Sequence, residues 1–176
     1  MYSADLPPLE GACTKTETKW YYDKPTTYFV TVHMHQNNYY VGYTTNLAPS
    51  NPVMSPEDVA STLELYKNNN NINTTTVLVS RQGTFAIRIN NGQQAKDAIN
   101  ALINPNDTTE KDKFEEAYNE LVMKPFEKIP SDEAGALAGF VKFINSHLVN
   151  GQPMGISLFQ AIYDSSNQNI INWVKL

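Results

Sequence analysis

From Tyr28 to His35 the chain alternates, with Tyr28, Val30, Val32 and Met34 on one side and Phe29, Thr31, His33 and His35 on the other. This two-residue period, carried by β-branched and aromatic side chains, predicts a strand. The Thr-rich stretch from Glu10 to Tyr22, ending in Trp20-Tyr21-Tyr22, predicts one or two strands leading into it. Tyr39 to Thr45 is expected to pair back on the first strand after a turn at Gln36-Asn37-Asn38, although Gly42 weakens it. The period then changes. Ser55-Pro56-Glu57-Asp58 has a Ser cap, a Pro at the first helical position and acids in the first turn, which together start a helix. Val59, Leu63 and Tyr66 follow at i, i+4 and i+7 until the Asn68 to Asn71 run stops them.

Thr75 to Ser80 and Thr84 to Ile89 predict two strands joined at Arg81-Gln82-Gly83. A helix from Gln93 to Ile103 presents Ala95, Ala98, Ile99 and Leu102 and is ended by Pro105. A second runs from Thr108 to Met123 with Phe114, Ala117, Tyr118 and Leu121 inward. Ser131-Asp132-Glu133 caps a third, whose expected stripe is Leu137, Phe140, Val141, Ile144 and Leu148. Ile156 to Tyr163 and Asn169 to Lys175 predict a closing hairpin around Ser165-Ser166-Asn167. Interleaved strands and helices imply an α+β class: a single mixed sheet with helices packed on its faces. One domain, 1–176, is expected, in three parts: 1–90 holding the candidate chemistry, a helical segment 91–150, and the hairpin 151–176.

Composition narrows the function. With 13 Lys+Arg against 18 Asp+Glu and a net charge of −5, the chain offers no basic face for nucleic acid or for an anionic membrane. Its apolar runs are too short for a membrane span, and Met1 to Glu10 show no signal-peptide pattern, so a cytoplasmic location is expected. Cys13, the single cysteine, excludes an internal disulfide and a multi-thiolate zinc site, and reads as a small buried hydrophobe. The glycines form no phosphate-binding loop.

Two of the three histidines, His33 and His35, share one strand face with Cα atoms about 6.5–7 Å apart. Two imidazoles so spaced can converge on one metal ion, with a carboxylate as third ligand. They can equally be two half-exposed strand side chains bonded to neighbours. Ser55 and Asp58 are accounted for as a helix cap. The two roles are compatible, because a cap that locks the first helical turn also fixes where Asp58 points. His147 reads as a helix-end histidine near the negative pole.

The order His-x-His, then Ser55-x-x-Asp58 at a helix start, then a strand pair, resembles the JAMM (MPN-type) metalloprotease superfamily, whose signature is an upstream Glu, His-x-His, seven residues and Ser-x-x-Asp. The resemblance covers roughly Glu10 to Ile89 and implies a JAMM/cytidine-deaminase-like arrangement. It also implies a Zn2+ ion held by His33, His35 and Asp58, with Ser55 as oxyanion partner and Glu10 handling the proton of the zinc-bound water. Glu17 is the alternative for that last role. The implied activity is hydrolysis of a peptide or isopeptide bond in a protein or peptide substrate. The spacing departs from the family: 19 residues separate His35 from Ser55, and Gln36 stands where many members carry Pro. The form implied is a divergent and N-terminally shortened member. A catalytically silent relative serving as a protein-interaction module is the alternative.

Overall fold

A computed structural model of the protein describes residues 29–35, 38–40, 47–128, 131–166 and 169–176. Five strands form the main sheet: β1 (Val30–Met34), β4 (Thr75–Ser80), β5 (Gly83–Ile89), β8 (Ile156–Tyr163) and β9 (Ile170–Lys175), in the spatial order β1-β4-β5-β8-β9. Two short antiparallel pairs lie outside it, β2 (Asn38–Tyr40) with β3 (Leu47–Pro49) and β6 (Leu148–Val149) with β7 (Gln152–Pro153). Of the segment expected to pair back on β1, Tyr39 and Tyr40 pair with β3 instead, and residues 41–45 lie outside the described residues. Among the described residues β1 pairs with β4, and His35 N–H extends that ladder to Val79 O at 3.0 Å.

The β1–β4 pair is parallel, whereas every other pair in the main sheet is antiparallel. A parallel pair needs a crossover, and helix α1 (Pro56–Asn69) supplies it. Its start is sequence-encoded: Ser55 Oγ accepts from Asp58 N–H while the Asp58 carboxylate accepts from Ser55 N–H. Asn70, in the left-handed region at φ 54°, ends it. Helix α2 (Gly92–Leu102) begins at an Asn91 cap and buries the four predicted residues Ala95, Ala98, Ile99 and Leu102.

Helix α3 spans residues 109–126, longer than expected, because it passes through Pro125. In a regular α-helix the proline ring would strike the carbonyl of Leu121 and leave it without a donor. The chain widens here into a π turn over Asn119–Met123, in which Lys124 N–H reaches Asn119 O. Helix α4 (Glu133–Ser146) is capped by Asp132 and packs so closely on this turn that a Cβ at Gly139 would lie 1.7 Å from Leu121 O. Its buried stripe is Ala136, Phe140, Phe143 and Ile144. The expected stripe was rotated too far: Leu137 and Val141 are only partly buried, and Leu148 lies beyond the helix on β6, exposed.

The helices pack against the sheet over one continuous core that draws residues from Val53 to Leu158. On β1 the sheet face turned toward that core is the one with Thr31, His33 and His35, each partly buried; Val30, Val32 and Met34 face the other way and are exposed. The apolar face of β1 is thus the solvent side. Among the described residues no helix is long and apolar enough to cross a membrane.

Candidate metal centre

Strand alternation and the β1–α1 crossover bring His33, His35 and Asp58 together at the carboxyl end of β1 and the amino end of α1. His33 Nε2 lies 3.3 Å from Asp58 Oδ1 and His35 Nε2 lies 3.6 Å from Asp58 Oδ2. The imidazole centroids are 5.2 Å apart, and one ligand atom from each of the three residues falls within 4.8 Å of the others. All three side chains are partly buried, at 33%, 20% and 22% relative exposure for His33, His35 and Asp58, so an ion there remains within reach of solvent.

Two of the three ligand groups are aimed by something else. Asp58 Oδ2 accepts from Ser55 N–H at 2.8 Å, which fixes the carboxylate within the first turn of α1 and leaves Oδ1 facing His33. His35 Nδ1 lies 2.8 Å from Asn51 O; since a carbonyl only accepts, Nδ1 carries the proton and Nε2 is the free ligand atom of the neutral ring. Beneath them runs a line of threonine hydroxyls. Thr31 Oγ1 is 2.8 Å from Thr76 Oγ1, which is 2.7 Å from Thr62 Oγ1, itself 2.8 Å from Asp58 O. These groups tie β1 and β4 to α1 directly below the cluster, and Thr62 and Thr76 are buried.

The electrostatics follow from this packing. Burial disfavours the Asp58 carboxylate, but the two histidines, and Ser55 N–H after them, outweigh it and hold the carboxyl well below the usual range. Burial likewise opposes charge on His35. The Asp58 carboxylate and the Asn51 carbonyl win against it, and the His35 pKa is raised. His33 Nε2 is closed off from solvent and has no partner of hydrogen-bonding geometry, despite the 3.3 Å approach of Asp58.

Of the residues singled out in the sequence, His33, His35 and Asp58 meet in space and Ser55 caps the helix beside them. Glu10, Glu17 and Cys13 lie outside the described residues. His147 is elsewhere: it caps α4, stacks on Phe143 at 5.2 Å, and has its pKa lowered by burial. Sequence reasoning passed over Asn51, Thr31, Thr62, Thr76 and Tyr118. Thr62 left a signal, a polar residue three and four positions from Val59 and Asp58 on the buried stripe. Asn51 left none, because it acts on His35 through its backbone carbonyl.

The fold and the cluster together define an α+β protein with a His-x-His…Asp group able to hold a metal ion. No family model, curated protein or solved structure matches the chain.

Proposed function

We propose that the protein is a divergent JAMM-type zinc peptidase or isopeptidase. The observation that carries this reading is the convergence of His33 and His35 with Asp58, a residue 23 positions further along, with one ligand atom from each within 4.8 Å of the others. The donor set suits the ion: two neutral imidazole nitrogens and one carboxylate oxygen form a three-ligand catalytic zinc set with a position left for water. Zinc held there supplies a Lewis acid and lowers the pKa of a bound water to about 7.

The remaining work falls to the protein. Ser55 Oγ accepts the cap hydrogen bond from Asp58 N–H at 3.2 Å, so its own proton is available for the oxygen of a polarised amide carbonyl. One such donor is worth about 2.7–4 kcal/mol of transition-state stabilisation. A carboxylate from the amino-terminal region, Glu10 or Glu17, takes the proton of the attacking water and delivers it to the leaving nitrogen. The substrate is a peptide or isopeptide bond of a protein partner. The resemblance in motif order supports this choice.

Metal analysis across the first-row elements, on protein purified without chelator, tests the proposal. About one zinc per chain is expected for the wild type and none for His35→Ala with its fold retained. Chelator-sensitive hydrolysis of peptide and isopeptide reporters should accompany the zinc. Iron in its place would redirect the reading to oxygen chemistry, since two histidines and a carboxylate also form the facial triad of non-haem iron enzymes. A chain that refuses added zinc would instead be the silent interaction module.

A further inference from the structure

The cluster depends on a short loop, residues 51–55, whose two ends do different things for it. Asn51 at one end offers its carbonyl to His35 Nδ1, and Ser55 at the other fixes the Asp58 carboxylate. One side chain grips this loop at two points. The Tyr118 hydroxyl donates to Met54 O at 2.9 Å and accepts a short hydrogen bond from Asn51 Nδ2. Asn51 closes the loop on itself, its Oδ1 accepting from Val53 N–H at 3.1 Å. Val53 and Met54 are fully buried, so the loop has little freedom apart from these bonds.

Tyr118 is itself held. It is 1% exposed on α3, immediately before the π turn, and its ring stands edge-on to Phe143 and Phe140 at centroid distances of 5.5 and 6.4 Å. We propose that Tyr118 is a positioning residue of the metal centre: by fixing Asn51 and Met54 together, its hydroxyl sets the ring orientation of His35 and the seat of the Asp58 cap. This inference rests on the metal-site reading and assigns a role in it to the helical segment, which carries none of the ligands. Removing the hydroxyl leaves the ring packing in place but takes the acceptor from Asn51 Nδ2 and the donor from Met54 O. The Asn51 side chain then keeps the Val53 N–H bond and a contact of its Nδ2 with Met123 Sδ at 3.8 Å, and His35 is held less firmly. Loss of an outer-shell partner of a ligating histidine typically costs 10–100-fold in metal affinity.

The experiment compares wild type, Tyr118→Phe and Ile99→Val, the last thinning the core at α2 while leaving every hydrogen bond of the loop in place. Zinc affinity is measured by competition against a chelating dye, and Co2+ is loaded as a spectroscopic probe whose visible bands report ligand geometry. Tyr118→Phe should bind zinc at least about 10-fold more weakly and show altered Co2+ bands, while Ile99→Val matches the wild type in both. Wild-type affinity and wild-type bands in Tyr118→Phe overturn the inference and leave the zinc reading standing. A wild type that takes neither metal overturns both. If Tyr118→Phe does not fold, Asn51→Ala removes the Asn51 half of the grip, together with the bond to Val53 N–H, while keeping the carbonyl of residue 51, and the two readouts on it decide the matter.

Discussion

Asp58→Asn separates the two roles that meet at this residue. The side chain keeps its size, and its remaining oxygen can still accept from Ser55 N–H, now as a neutral partner. Hydrogen bonds to charged groups contribute about 1.5–3 kcal/mol and neutral ones about 0.5–1.5 kcal/mol, so the exchange alone costs about 1 kcal/mol. Loss of the attraction to the partly exposed histidines adds a fraction more, reduced by solvent screening. The Ser55 Oγ bond to residue 58 N–H is untouched. The metal-free protein should therefore lose about 1–2 kcal/mol and stay folded. Zinc behaves differently. At a free concentration 100 times its dissociation constant, it stabilises the wild type by about 2.7 kcal/mol. If the missing ligand weakens binding about 100-fold, the same zinc stabilises the variant by only about 0.4 kcal/mol. Urea denaturation of both proteins, with zinc and with chelator, measures all four free energies. Equal zinc increments in the two proteins would remove Asp58 from the ligand set, and no increment in either would remove the site.

Other outcomes follow from the same geometry. Because the folded pKa of Asp58 is lowered and that of His35 raised, their pairing stabilises the metal-free fold fully between about pH 4 and pH 6.5. That stability is lost below this window as Asp58 protonates, and above it as pH rises through the folded pKa of His35. Zinc needs neutral imidazoles, so its increment should instead grow from about pH 5.5 to about pH 8; thermal melts with and without zinc that move in parallel would contradict this. Thr62→Val, nearly isosteric, breaks the hydroxyl line between α1 and β4 and should lower stability by about 1–2 kcal/mol, read as a drop in the urea midpoint with an unchanged slope. Gly139→Ala should destabilise by about 2 kcal/mol despite the better helix propensity of alanine, since the new Cβ is fixed to the helix and the Leu121 O it meets is backbone, so neither can turn aside as a flexible side chain would. An unchanged melting temperature would mean that α4 can move off the π turn at little cost.

Much of this architecture is legible in the chain because it is local. The Ser55-Pro56-Glu57-Asp58 start, the α2 stripe and the strand pair around Arg81-Gln82 each carry their signal within a few residues, and each stands within a residue or two of where it was expected. The α+β class follows from their order. What stayed hidden depends on contacts between distant segments. The partner of Tyr39 and Tyr40 is β3, and that of β1 is β4 across the α1 crossover; periodicity marks a strand but does not name its neighbour. The continuation of α3 past Met123 required a π turn to relieve Pro125, an option that a proline in a sequence does not announce. At the site, the ligand candidates were readable because two of only three histidines share one strand face and Asp58 stands in a Ser-x-x-Asp helix start. Their supports were not: a backbone carbonyl at Asn51 and a phenol 60 residues downstream of Asp58 have no spacing rule that joins them.

The reciprocal cap at the start of α1 has one more consequence. Small zinc domains are commonly unfolded until the ion arrives, because their ligands have nothing else to hold them. Here Asp58 is already spoken for by Ser55, and His35 by Asn51, before any ion is present. Stripping the protein with a chelator should leave its circular dichroism intact, and metal should come and go as a local exchange at one end of a standing scaffold. Occupancy would then follow the free zinc level around the protein, independently of its folding history.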